Sequence, residues 1–121
     1  MCRYLVVRPD DSFSRTVATP VVAAFLATLP TLRRTSPTAP YQGVGVQVLL
    51  VHCDPAGNYS MFADQPAPAS INRIELICSC HGPQRYRDWE SLAGLIAEHL
   101  DWEVVDDETD EVLRPRPGTR H

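Results

Sequence analysis

The side chains best suited to bind a metal ion or attack a substrate lie in two short segments. His52 and Cys53 follow one apolar run, and Cys78, Cys80 and His81 end another. Thiolate and imidazole groups are zinc ligands, and four of them complete a tetrahedral site. A single residue separates Cys78 from Cys80, whereas two residues normally separate the paired cysteines of a zinc site. We therefore expect buried structural thiols, with a metal site as the alternative.

The same residues are the candidates for a catalytic or ligand-binding pocket. A cysteine nucleophile needs a neighbouring base and a site that favours the thiolate. Cys80 and His81 are adjacent in the sequence, so their side chains point apart if the strand extends that far. An enzyme or ligand sensor would use a pocket lined by His52, Tyr59, Cys80 and His81.

Motifs of established catalytic specificity are absent from the chain. It contains no Gly-x-Ser-x-Gly elbow, P-loop, dinucleotide fingerprint, His-Glu-x-x-His pair or EF-hand loop. The sequence therefore favours a non-enzymatic protein over an enzyme, and it predicts no cofactor.

The acidic residues are concentrated near the end of the chain. The segment 88–113 holds ten of the fifteen Asp and Glu residues and no Arg, whereas residues 1–50 hold five Arg and two acidic residues. Such a charge distribution repels nucleic acid and steers a basic protein toward the acidic side. We predict a partner-binding surface formed by Glu90, Glu98, Asp101, Asp107, Glu108, Asp110 and Glu111.

These charges also admit other interpretations. A calcium loop normally includes a glycine that lets the chain fold around the ion, and the segment 106–111 has none. A solvated turn remains the structural alternative, because Asp and Thr favour turn conformations. The sequence pI of about 5.4 lacks the basic footprint of a nucleic-acid-binding protein.

The apolar spacing predicts the elements that position these groups. Helices are expected to begin at Thr19-Pro20 and at Asp88, where the hydroxyl and the carboxylate would cap the first turn. Strands are expected over 3–8, 44–54, 59–63, 73–80, 102–106 and 111–113. The order β-α-β-β-β-α-β-β indicates an α+β fold, with two helices packed on a single mostly antiparallel sheet. A ferredoxin-like βαββαβ core with an added hairpin is the expected variant.

The length and the flanking segments set the domain organisation. The 121 residues suffice for one core without metal or disulfide support, so we predict a single compact domain over 1–113 and a flexible tail over 114–121. The first ten residues lack the features of a signal peptide, and the longest apolar run, 21–29, is too short to cross a bilayer. A cytoplasmic protein with free thiols is the expectation.

These features together predict a non-enzymatic bacterial protein-binding module. An immunity or inhibitor-type protein would occlude a basic partner, such as a toxin effector, with its acidic surface. The first alternative is the small enzyme or ligand sensor with a His- and Cys-lined pocket. The second is a structural subunit that forms a homodimer through the apolar sheet face containing Leu49, Val51 and Ile77.

Overall fold

The computed structural model describes residues 3–34, 41–43, 45–54, 56, 68–78 and 86–119. In chain order the elements of these ranges are β1 (Arg3–Arg8), β2 (Val17–Ala18), α1 (Thr19–Leu26), β3 (Tyr41–Gly43), β4 (Val46–Val51), β5 (Ser70–Ile71), β6 (Arg73–Cys78), α2 (Tyr86–Leu100), β7 (Glu103–Asp106) and β8 (Val112–Arg114). A 3-10 turn at Pro117–Thr119 follows β8. Within the described ranges, neither helix has the length and apolar character that a membrane crossing requires.

Six strands form one antiparallel sheet in the order β3-β4-β6-β1-β7-β8, and β2 pairs separately with β5. The four inner strands of the six-stranded sheet lie in the order β4-β6-β1-β7. Helix α1 lies in the connection after β1, and α2 lies in the connection after β6. This arrangement corresponds to a ferredoxin-like βαββαβ core, extended by β3 at one edge and by β8 at the other. The predicted α+β fold, with two helices and a mostly antiparallel sheet, is confirmed.

Both helices pack on one face of the sheet. Strand alternation directs Leu5 and Val7 of β1 toward this face, together with Leu76 of β6. Val22 of α1 and Ile96 of α2 are fully buried in the same cluster. Apolar residues at helical spacing therefore form the buried faces of both helices.

The helix starts differ from the predicted capping positions. Ala18 is the N-cap residue of α1 and makes no side-chain hydrogen bond there. The Thr19 hydroxyl instead donates to the Pro68 carbonyl oxygen, which connects α1 to the segment that leads into β5. The prediction that Thr19 caps α1 is therefore wrong. α2 begins at Tyr86, so Asp88 lies inside the helix rather than before it.

β3 is absent from the sequence prediction and forms one edge of the sheet. Its central residue, Gln42, donates its backbone N–H to the Arg33 carbonyl and accepts the Arg33 N–H, both at 2.7 Å. Alternate residues of a strand direct their backbone groups to opposite sides, so Gln42 carries the outward-facing groups of this three-residue strand. The outer edge of β3 is therefore closed. The predicted strand 59–63 lies outside the described residues.

The end of α2 is fixed by Asp101, which has a left-handed φ of 58°. The Trp102 N–H donates to the Ala97 carbonyl at 2.8 Å, as in a Schellman motif. The Asp101 carboxylate accepts the Gly118 N–H at 2.8 Å, and its carbonyl accepts a hydrogen bond from the Arg15 guanidinium at 2.7 Å. Asp101 thereby joins the helix terminus to two distant parts of the chain.

Residues of the predicted tail contact the domain. Arg114 is the last residue of β8, and its guanidinium lies against α2 where Gly94 has no side chain. Its Nε is 3.6 Å from the Glu90 carboxylate. Together with the Gly118 hydrogen bond, these contacts attach the start of segment 114–121 to α2.

Candidate functional site

The sheet face opposite the helices, here called the open face because neither helix covers it, carries three rows of side chains that run across the strands. Val6, Val51 and Val105 on this face are nevertheless buried. The Tyr4 row consists of Gln42, Gln47, Ile77 and Tyr4. The Val6 row consists of Leu49, Glu75, Val6, Val105 and Val112. The Arg73 row consists of Val51, Arg73, Arg8 and Glu103.

The two arginines of the Arg73 row form ion pairs. Arg8 Nε lies 2.7 Å from Glu103 Oε2 on the neighbouring strand. Arg73 Nη2 lies 2.9 Å from Glu75 Oε1 and 3.2 Å from Asp107 Oδ1. The Arg73 side chain is only 12% exposed, so its charge is matched by carboxylates rather than offered to a partner.

Three of the predicted partner-binding carboxylates also meet arginines from other parts of the chain. The pairs are Glu90 with Arg114 at 3.6 Å, Asp101 with Arg15 at 3.9 Å, and Asp107 with Arg73 at 3.2 Å. Acidic and basic residues that are far apart in the sequence are therefore partly brought together by the fold, which reduces the separation of charge.

The remaining predicted carboxylates occupy separate surfaces. Glu98 is exposed on α2, which packs against the helix-covered face of the sheet. Glu108, Asp110 and Glu111 are exposed in the connection from β7 to β8. Asp101 precedes β7, a strand of about 13 Å, so it lies at the opposite end from that connection.

The connection 107–111, here called the acidic turn, is held by backbone and side-chain hydrogen bonds. Asp106 donates its N–H to the Glu111 carbonyl at 2.9 Å and accepts the Asp110 N–H at 2.8 Å. The buried Asp106 carboxylate accepts the Glu108 N–H at 2.9 Å, and the Thr109 hydroxyl accepts the Glu111 N–H at 3.3 Å. The turn therefore presents its carboxylates from a defined backbone.

Cys53 and Cys78 do not meet at the β4–β6 pair. These strands are antiparallel, with Cys78 opposite Val46. Cys53 lies beyond Val51 at the other end of β4, about 23 Å along the strand from Val46. Both thiols are buried and neither forms a disulfide.

The Cys53 environment disfavours a reactive thiolate. Burial is the main reason that the pKa of the Cys53 thiol is raised. The neighbouring His52 ring is exposed, and its Nδ1 lies 2.9 Å from the Ser70 carbonyl oxygen. Cys80, His81 and Tyr59 lie outside the described residues. Within the described ranges, no group of three or more His, Cys, Asp or Glu residues is close enough to hold a metal ion.

Asn72, which no sequence motif marks, holds the chain just beyond β4 in place. Its Oδ1 accepts the Cys53 N–H at 2.7 Å, and its Nδ2 donates to the Cys53 carbonyl at 2.9 Å. A longer contact of 3.5 Å joins Nδ2 to the Phe13 carbonyl. The Phe13 ring in turn lies 5.9 Å from the Arg73 guanidinium carbon. Asn72 therefore connects the end of β4 to the loop after β1.

A shallow depression of about 380 Å³ lies at the β3–β4 end of the Tyr4 row. Its described lining consists of Gln42, Gly43, Gly45, Val46, Gln47 and Ile77. The described part of this lining carries only amide, backbone and apolar groups, so it suits binding through hydrogen bonds and packing rather than acid–base chemistry.

No protein-family model, curated protein or solved structure matches this chain.

The loop after β1 provides a pH-dependent interaction that can be tested. The Asp10 carboxylate accepts hydrogen bonds from the N–H and hydroxyl groups of Ser12 and Ser14. The Ser14 hydroxyl is the main reason that the pKa of Asp10 is lowered from 3.8 to about 2. Because the folded-state pKa is depressed, this carboxylate stabilises the fold above about pH 4 and loses that contribution as the pH falls toward 2.

We expect Asp10→Asn to lower the free energy of unfolding at pH 7. The difference in this free energy between wild type and variant, here called the gap, should narrow between about pH 4 and pH 2. Urea denaturation across this range measures the gap. Asp11→Asn is the matched control, because it removes an exposed carboxylate from the same loop. A gap that stays constant down to pH 2, or an equal gap in the control, would contradict the assigned role of Asp10.

Proposed function

We propose that this chain is a non-enzymatic protein-binding module that contacts a basic partner with its acidic turn. The observation that carries the proposal is the exposure of Asp107, Glu108, Asp110 and Glu111 on one hydrogen-bonded turn. An ordered turn loses little conformational entropy on binding, which favours affinity.

The charge of the turn suits occlusion of a basic cleft. The chain has a formal net charge of −4, and the turn projects carboxylates beyond the end of β7. A cluster of carboxylates raises the rate at which the protein meets a basic surface, and it repels acidic competitors. An inhibitor or immunity-type protein that covers the basic site of a toxin would act in this way.

The described residues give less support to the alternatives. For self-association, Val51 is 1% exposed, while Leu49 and Ile77 are half-buried, so these side chains offer a second copy little apolar area. Of the four residues predicted to line the pocket of an enzyme or sensor, only His52 lies in the described ranges, and its side chain is exposed.

The proposal is tested by charge reversal in the acidic turn. A partner would first be captured from a lysate of the native host at low salt, identified by mass spectrometry and purified. We expect Glu108→Lys with Glu111→Lys to lower the association rate constant about tenfold at low ionic strength and to flatten its salt dependence. Stopped-flow or surface-plasmon measurements would give both quantities. Asp110 is left unchanged because its φ of 59° would strain a lysine at that position.

A control variant with the same change in net charge distinguishes a direct contact at the acidic turn from the effect of the protein's overall charge. Asp11→Lys with Glu98→Lys alters two exposed carboxylates outside the turn. We expect this control to reduce the association rate much less. An equal reduction in both variants would assign the effect to net charge and would remove the acidic turn from the binding surface.

A further inference from the structure

Tyr4 places an exposed aromatic ring near the middle of the sheet. Its side chain is 42% exposed, although β1 is paired on both sides. The neighbouring residues Leu5 and Val7 point into the helix-covered core, so Tyr4 points to the open face. The ring is therefore available to a partner.

The acidic turn begins directly beside Tyr4. The Asp107 N–H donates to the Tyr4 carbonyl at 3.0 Å. The Asp107 carboxylate is 46% exposed and contacts Arg73, another residue of the open face. An aromatic face next to carboxylates recognises a guanidinium group, which stacks on the ring and pairs with the carboxylates.

The other end of the Tyr4 row has a different chemistry. Ile77 lies next to Tyr4, followed by the exposed amides of Gln47 and Gln42 and by the depression that they line. The distance from β3 to the acidic turn covers four strand spacings, about 19 Å, and about six extended residues span this distance. The glutamine amides offer both donors and acceptors to the backbone of such a segment.

We propose that the Tyr4 row binds an extended, arginine-containing segment of the partner protein, with an arginine on the Tyr4 ring and its guanidinium directed to the acidic turn. This inference rests on the proposed function, because the same turn supplies the charge. Charge complementarity favours this occupant over a second copy, whose own acidic turn adds to the repulsion between two chains of net charge −4. Arginine is preferred to lysine because its planar group stacks as well as pairs.

The test uses two amidated hexapeptides, one alternating arginine with valine and one alternating lysine with valine. Each is titrated into the isotope-labelled full chain at low salt and followed by two-dimensional NMR. We expect amide shifts along Tyr4, Ile77, Gln47 and the acidic turn, with upfield shifts of the arginine δ protons from the Tyr4 ring. Leu95, exposed on α2, reports on binding elsewhere.

Two variants isolate the ring. Tyr4→Leu is expected to weaken the arginine peptide about two- to fivefold and to change the lysine peptide less. Tyr4→Phe retains the ring and is expected to bind as wild type. The shift pattern of the unmodified protein tests the inference even if Tyr4→Leu fails to fold, since shifts confined to the acidic turn would overturn it.

The outcomes separate the two proposals. Arginine-peptide binding that depends on Glu108 and Glu111 but not on Tyr4 would overturn this inference and leave the proposed function in place. Absence of binding by either peptide, or peptide binding unaffected by Glu108→Lys with Glu111→Lys, would overturn this inference, whereas the proposed function is decided by the association kinetics of the purified partner. Equal affinity of the two peptides for wild type would overturn the arginine assignment.

Discussion

Replacing Arg73 with methionine is expected to lower the free energy of unfolding by about 3 kcal/mol. Methionine keeps much of the apolar stem but removes the charge that the Glu75 and Asp107 carboxylates share. The Glu75 side chain is 16% exposed, so water compensates it only in part. Urea denaturation at pH 7 measures the loss.

A double variant distinguishes a lost ion pair from lost packing. Arg73→Met together with Glu75→Met removes both buried charges, and we expect it to regain most of the stability lost in Arg73→Met, because apolar pairs replace buried ion pairs well. A loss below about 1 kcal/mol in Arg73→Met, the level of an exposed ion pair, would contradict the burial argument. A double variant no more stable than Arg73→Met would assign the loss to packing.

The second large effect is expected at Asn72. Asn72→Ala leaves the N–H and the carbonyl of Cys53 without their side-chain partner in a buried position, and each orphaned group costs about 1–3 kcal/mol. We expect a loss of about 3 kcal/mol in the free energy of unfolding, together with faster hydrogen exchange at the Cys53 amide. Denaturation and exchange measured by NMR give the two values.

Gln47→Ala is the matched control for Asn72. It removes an amide of similar chemistry from the exposed surface of β4, and we expect a change within about 0.5 kcal/mol. If the Cys53 amide keeps its protection in Asn72→Ala, the loop is held by other contacts and the role assigned to Asn72 is wrong.

Elements with a strong internal period were predictable from the sequence. β1 is a run of four apolar residues between Arg3 and Arg8, β6 alternates polar and apolar residues over most of its length, and α2 repeats apolar residues at helical spacing. β2, β3 and β5 are two or three residues long. Their existence depends on pairing with distant partners, and a short run carries no period that could reveal it. The Thr19 hydroxyl shows the same limit, because its acceptor is contributed by Pro68, a residue remote in the chain.

The candidate site was predictable only in part. Composition identified the acidic segment correctly as a concentration of charge along the chain, and turn chemistry placed the connection after β7. The positions of the arginines that neutralise it follow from the sheet order, as with Arg8 and Glu103, which are 95 residues apart. The exposure of Tyr4 likewise depends on the sheet, because β1 lies between β6 and β7 and Tyr4 points away from the helices.

The bond between Arg33 and Gln42 also limits how copies of the chain can associate through their backbones. Since the outer groups of β3 are already paired, β8 is the edge of the six-stranded sheet at which another strand could add, and Pro115 directly follows it. In a pair of chains joined β8 to β8, the backbone groups of both β8 edges would already be hydrogen-bonded. Among the described strands of this sheet, growth by strand addition would therefore stop at a pair instead of propagating into a fibre.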